Sequence, residues 1–269
     1  MPKRLKFTPV KLHYLKSKIA HPMPKMQKYI SFLLFSLVII NSSCSQSKKL
    51  VIDQVDPFIG TGGHGHTYPG VSMPFGLVQL SPDTDDTGWD WCSGYNYIDE
   101  SIMGFSHTHL SGTGISDLAD ILVMPFCGPI VWEPGEKTGK GQGYRSPFSH
   151  QQEISTPGRY SVQLLKHGIK AELTASHEVG YHRYTFPASD ASHIMIDLLH
   201  GLDRKRTWLT ERVLDSEIQV INNTTISGFR TSNGWANVQK VYFQLEFSKP
   251  FDINNLATNG TVRTNSSLA

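Results

Sequence analysis

Apolar residues alternate with polar ones over most of the second half of the chain. In "RYSVQLLK" the apolar positions are Tyr160, Val162 and Leu164, and in "IKAELTA" they are Ile169, Ala171 and Leu173. A period of two puts such residues on one face of a strand, and Lys166, His167 and Gly168 between the runs predict a hairpin turn. Further period-two runs stand at "GYHRYTF", "HIMIDLL", "NTTISGFRT" and "KVYFQLEFS", separated by turn formers such as Pro187, Asp190, Asn222, Asn223 and Gly234. Short strands at this spacing predict an all-β fold, an antiparallel β-sandwich. The only helical candidate in this half is "DRKRTWLTERVLD", which suits one turn or a short helix.

Residues 53–150 read differently. Short strands such as "GLVQLS" and "ADILVMPF" are separated by long stretches rich in Gly, Pro, Ser, Thr and aromatics. Loops that long in a folded domain are functional or disordered, and this aromatic and histidine content argues against disorder. Three of them concentrate the chemistry: "FIGTGGHGHTYPG" at 58–70, "SPDTDDTGWDWCSGYNY" at 81–97 and "GFSHTHLSGTGISDLAD" at 104–120.

Composition changes the picture mainly through its unevenness. The chain has 269 residues, 39% hydrophobic, enough to bury a core. Its net charge of +2 suggests an anionic partner until the charges are located. Residues 1–44 hold eight Lys and Arg and no Asp or Glu, leaving the rest with 17 basic against 23 acidic residues. The basic excess therefore belongs to a leader, and a nucleic-acid partner loses its support. Within that leader Lys25 and Lys28 flank Met26, "YISFLLFSLVII" runs uncharged, and "NSSC" follows. The apolar run is too short to span a bilayer and suits a signal peptide over 26–44, with Cys44 placed for cleavage and lipidation. Residues 1–25 are then upstream of the expected start, 45–50 form a linker, and 51–269 form the β domain. A plain secretory signal is the alternative. Either route places the protein in the periplasm or at the cell surface. Cys92 and Cys127 either pair there or remain buried thiols.

The residues of the three loops suit some chemistries better than others. The first is glycine-rich but lacks the Lys-Ser or Lys-Thr and the helix start that a phosphate loop needs. Its glycines Gly62 and Gly63 let a ligand approach the backbone, with His64 and His66 at the edge. The pairs His64/His66 and His107/His109 invite zinc, yet the spacing matches no established zinc pattern, and polar recognition is the stronger reading. In the second loop Trp89 and Trp91 bracket Asp90, and Tyr95 and Tyr97 share a face that suits burial. Aromatic faces beside carboxylates fit a sugar, apolar on its C–H faces and hydroxylated at its rim. Asp83, Asp85, Asp86 and Asp90 are poor candidates for a glycosidase acid–base pair, because neighbours in one loop rarely face each other across a ring.

Two long segments, "DPFIGTGGHGHTYPGVSMPFGLVQLSPDT" and "SGYNYIDESIMGFSHTHLSGTGISDLADILVMP", resemble the N-terminal domain of glycoside hydrolase family 92, over about residues 50–269. The resemblance implies a calcium-dependent, inverting exo-α-mannosidase acting on mannose-containing glycans, N-glycans or mannan, with α-1,2 linkages expected. It implies a β-supersandwich followed beyond Ala269 by an (α/α)6 toroid, the active site lying at their junction. The general acid, the base and the calcium ligands are expected in that toroid, so no residue here inherits a catalytic or metal-binding role. What carries over is a share of the sugar pocket, through Gly62, Gly63, His64, His66, Trp89, Trp91, His107 and His109. On this reading "GFSHTHLSGTGISDLAD" is a pocket wall, with Asp117 and Asp120 holding the loop backbone. The competing reading is a non-catalytic carbohydrate-binding lipoprotein with the same loops.

Overall fold

The hairpin foreseen in "RYSVQLLKHGIKAELTA" forms with Leu164 opposite Ile169, and Gly168 takes a left-handed φ of 65° in the turn. This is a computed structural model, which describes residues 50–202 and 213–252 and the strand backbone at 255–258 and 261–264. The first strands of the domain are β1 (Val71–Ser72), β2 (Gln79–Asp83), β3 (Ser101–Ile102), β4 (Gly104–Ser106), β5 (Leu122–Cys127) and β6 (Ser146–Pro147). A run of longer strands follows: β7 (Glu153–Thr156), β8 (Arg159–Leu164), β9 (Ile169–Ala175), β10 (Gly180–Thr185) and β11 (Ser192–Asp197). The last are β12 (Val213–Asn222), β13 (Thr225–Ser232), β14 (Gln239–Glu246), β15 (Asn255–Thr258) and β16 (Thr261–Thr264).

Every pairing among these strands is antiparallel. One sheet runs β1-β2-β4-β5-β11 and a second runs β10-β9-β8-β7. They face each other, β9 lying against β1 and β2, and their inward side chains form one core. Tyr160, Val162 and Leu164 come from β8, Ile169, Ala171 and Leu173 from β9, and Leu80, Phe105, Leu122 and Met124 from the opposing sheet. Burying each of the larger aliphatic or aromatic side chains contributes roughly 1.5–3 kcal/mol. The all-β sandwich read from the pattern is therefore the observed architecture.

A third sheet, β12-β13-β14, carries the remaining period-two runs, and β15 pairs with β16. Most of "DRKRTWLTERVLD" lies outside the described residues, as do the signal and lipidation readings at 26–44 and Cys44. Its last three residues, however, open β12 rather than extend a helix. Register shifts at Val213/Asp215 and Val220/Asn222 break the alternation of β12, which hides this strand from a period-two reading. Both Cys92 and Cys127 are free thiols.

Candidate functional site

The first loop is folded by its own backbone. Thr61 N–H donates to Phe58 O at 3.1 Å, Gly65 N–H to Gly62 O at 3.3 Å and Thr67 N–H to Gly60 O at 3.3 Å. A Cβ on Gly65 would stand 2.0 Å from Gly60 O, so only glycine allows this close return of the chain. The coil leaves Gly62, Gly63 and His64 exposed and turns His66 inward, at 6% exposure and with φ of 53°.

The second loop meets it at a 3-10 turn, Trp89–Trp91. The Trp89 ring stands edge-on to His66 with centroids 4.3 Å apart and lies 5.1 Å from His64. His64 Nδ1 is 2.5 Å from Asp90 Oδ1, and the side-chain amide of Asn96 donates to Gly63 O at 3.4 Å and to Asp90 O at 3.5 Å. The third loop closes the contact. Trp89 Nε1 donates to Gly114 O at 2.8 Å, and Gly112 N–H donates to His66 O at 2.6 Å. Three segments separated in sequence thus converge on one surface that presents Gly62, Gly63, His64, Asp90, the 53% exposed Trp89 and the exposed Ser111, Gly112 and Thr113.

The other sequence candidates go elsewhere. Three residues make one turn of a 3-10 helix, so positions two apart point in different directions. Trp91 accordingly leaves the shared surface: its Nε1 donates to Asp99 at 2.6 Å and Lys137 stands over its ring at 4.9 Å. His107 and His109 also turn inward and do not join the surface. His107 Nδ1 donates to Ile121 O at 2.7 Å. Its Nε2 lies 3.0 Å from His182 Nε2, and His182 Nδ1 accepts from the Tyr184 hydroxyl at 2.7 Å. Because a carbonyl only accepts, His107 carries its proton on Nδ1 and accepts at Nε2 from His182. Burial pushes both imidazoles down, His182 furthest.

His109 is 3% exposed. Its Nδ1 faces Gln79 O at 2.7 Å, and its Nε2 faces Asp83 Oδ1 at 2.7 Å and Ser106 Oγ at 3.0 Å. The second oxygen of Asp83 meets His200 Nε2 at 2.8 Å. The histidines of the third loop are therefore its foundation, and what that loop offers outward is glycine backbone and hydroxyls. Asp117 accepts from Leu118 N–H within the loop and from Trp235 N–H across to the third sheet, both at 2.8 Å. Asp120 accepts from Thr108 Oγ1 at 2.6 Å, from Arg230 at 2.8 Å and from Gln239 at 3.1 Å. These two carboxylates hold the loop's backbone and also fasten it to β13 and its surroundings.

Tyr95 and Tyr97 part company. Tyr95 is buried, with its hydroxyl on Glu153, whereas Tyr97 is exposed. The segment is a turn and not a strand, with Asn96 Oδ1 accepting from Ile98 N–H at 3.2 Å, so the two-residue period does not apply. Asp90, bracketed by the two tryptophans in the sequence, pairs with His64, a partner that sequence reasoning did not supply. The signal for Asp90 was the Trp-Asp-Trp run itself. Among the loop aspartates, Asp83 and Asp85 are buried, and Asp85 pairs with Lys137. Among the described residues no three His, Cys, Asp or Glu side chains gather so as to hold a metal ion.

Residues 54–268 match the glycosyl hydrolase family 92 N-terminal domain. The chain belongs to glycoside hydrolase family 92. Among solved structures it is similar to a family GH92 alpha-mannosidase from Bacteroides thetaiotaomicron in complex with mannoimidazole, with 41% identity and a TM-score of 0.73, over 80% of this chain and 28% of that one. It is also similar to a family GH92 inverting mannosidase from Bacteroides thetaiotaomicron VPI-5482, with 26% identity and a TM-score of 0.63, over 82% of this chain and 28% of that one. An uncharacterized secreted glycosidase of Arthroderma benhamiae is 26% identical over 187 residues, 66% of this chain and 24% of the relative. The chain thus spans about a quarter of the length of these family 92 relatives.

Proposed function

We propose that this family 92 domain supplies the sugar-contacting surface of a secreted exo-α-mannosidase. The convergence of the three loops on Trp89 carries the reading. An exposed indole face beside Asp90, His64, Ser111 and Thr113 offers a flat apolar platform ringed by groups that donate or accept hydrogen bonds. A pyranose needs that combination, and the relatives are mannosidases. His66 and the Gly114 carbonyl fix the indole, so its orientation is set before a ligand arrives. Gly62 and Gly63 admit a ligand to the backbone, while His107 and His109 act from beneath the loop as supports.

Hydrolysis with inversion needs a general acid and a general base set about 6.5–9.5 Å apart. This reading assigns both, and the calcium ligands, to polypeptide outside this domain. α-1,2-Linked mannosides of N-glycans or mannan are the proposed substrates. Lipidation at Cys44 after removal of a signal at 26–44 is the proposed route to the periplasm or cell surface. The test is titration of the chain with methyl α-mannoside, followed by tryptophan fluorescence. The sugar is expected to perturb emission, and Trp89→Ala to weaken binding by about tenfold, the equivalent of about 1.4 kcal/mol. Equal affinity in the variant would refute the assignment of Trp89.

A further inference from the structure

Gly62 also lines a hollow, open to solvent, together with Asp56, Phe58, Ile59, Thr61 and Tyr97. Its parts are tied together. Tyr97 N–H donates to Thr61 O at 2.9 Å, Thr61 Oγ1 to Phe58 O at 2.8 Å, and Phe58 N–H to Asp56 Oδ1 at 2.9 Å. The Tyr97 ring lies nearly parallel to His150, with centroids 4.0 Å apart and planes 17° from parallel, and Phe58 meets its edge at 5.7 Å. His150 is itself fixed, with Nδ1 at 2.7 Å from Glu153 Oε2 and the Phe148 ring at 5.0 Å. Glu153 is buried and also accepts from the hydroxyls of Tyr95 and Tyr160. A buried network rooted in β7 and β8 therefore sets the plane of a ring that is 43% exposed. Among the described residues, neither the Tyr97 hydroxyl nor Asp56 Oδ2 has a hydrogen-bond partner.

We propose that this hollow is a second sugar-contact site, taking the neighbouring unit of an oligosaccharide whose other unit lies against Trp89. The proposal rests on the reading of the Trp89 surface given above. A ring immobilised from behind, with a free phenol and a free carboxylate oxygen at its rim, matches the apolar face and hydroxyl edge of a pyranose. Continuity sets the occupant. Gly62 lines the hollow and His64 stands two residues on, so at most about 7 Å of backbone separates the two surfaces. Asn96 joins them from below, bonding Gly63 and Asp90 while the next residue, Tyr97, supplies the platform.

The site makes affinity rise with chain length. Calorimetric titration of the whole chain with methyl α-mannoside, an α-mannobiose and an α-mannotriose reads this directly, on the wild type, Tyr97→Leu and Trp89→Ala, with far-UV circular dichroism confirming each fold. The trisaccharide is expected to bind the wild type about tenfold more tightly than the monosaccharide, a gain of about 1.4 kcal/mol. Tyr97→Leu keeps apolar bulk without a flat face and is expected to abolish that gain, whereas Trp89→Ala weakens every ligand. A length gain that is missing in the wild type, or kept in Tyr97→Leu, overturns the second site and leaves the Trp89 reading standing if Trp89→Ala still weakens the monosaccharide. Trp89→Ala without effect overturns that earlier reading instead, and a wild type that binds none of the three sugars overturns both.

Discussion

At Asp83 a carboxylate with no exposed surface is gripped by two imidazoles, His109 on one oxygen and His200 on the other. Burial alone would raise its pKa, but the attraction and hydrogen bonds of His109 and then His200 outweigh it and hold Asp83 well below the usual carboxylate range. The site leaves no room for relaxation, since a Cβ on neighbouring Gly94 would lie 2.0 Å from Asp83 Oδ1. Removing one member of such a buried pair leaves the other uncompensated, at a cost of about 3–5 kcal/mol. Asp83→Asn is therefore expected to lower stability by about 3 kcal/mol in urea unfolding. The sign of the pH effect follows: a depressed carboxylate contributes stability above its unfolded value of about 3.9 that is lost as pH falls below it. An acid-unfolding curve of Asp83→Asn is expected to be flatter than the wild type below about pH 4. An unchanged curve would show that Asp83 does not carry this charge.

Between elements, the hydrogen-bonded run from Tyr184 through His182 and His107 to the Ile121 carbonyl ties β10 to the third loop. Both histidines titrate below their ordinary 6.5 because they are buried, so the unfolded chain binds more protons than the folded one just under that pH. Their contribution is complete above about pH 6.5 and declines as pH falls through the depressed values, a loss that begins at a higher pH than that of Asp83. The melting temperature is expected to drop between pH 7 and pH 5 in the wild type and to drop less in His182→Gln. Farther along, Arg230 of β13 is wholly buried and reaches Asp120 at 2.8 Å and Ala119 O at 3.1 Å. Replacing it by Met strands Asp120 and is expected to cost about 3–5 kcal/mol, with proteolysis of β12–β14 appearing at lower protease than in the wild type. What the sequence made legible at this scale was the regular part. Tyr160, Val162 and Leu164 read inward because a straight strand keeps its period. The bulged β12 and the turn at Tyr95–Tyr97 did not read correctly, because each breaks the alternation that the reading assumes, and the 3-10 turn that parts Trp89 from Trp91 left no periodic signal. His107 and His109 were recognisable as special but not as supports, since their partners Ile121, His182 and Asp83 lie as far as 75 residues away.

For the whole molecule, family membership and a sandwich are compatible with either an enzyme or a binding domain, and the placement of the carboxylates bears on which. Asp83 is buried between His109 and His200, Asp85 is buried against the exposed Lys137, and Asp90 is held by His64. Inversion demands two carboxyls on opposite faces of the sugar with room for a water between them. The chain also presents large apolar side chains to solvent, including Phe75, Leu77, Trp235 and Tyr242. Phe75 does so from a left-handed backbone, φ 59°, a conformation that costs on the order of 1–3 kcal/mol in a non-glycine residue. Side chains that costly and that apolar suit contact with further polypeptide, and the relatives are about three times as long. The expected outcome is that the 269-residue chain binds mannosides without cleaving them. Fused in frame to the remainder of a family 92 polypeptide, it is expected to hydrolyse an α-1,2-mannobiose and to release the β-anomer first. Proton NMR of the anomeric signals during the first minutes checks both points. Mannose released by the unfused chain would mean that the acid and the base reside within it, while α-mannose as the initial product of the fusion would rule out single-step inversion at this site.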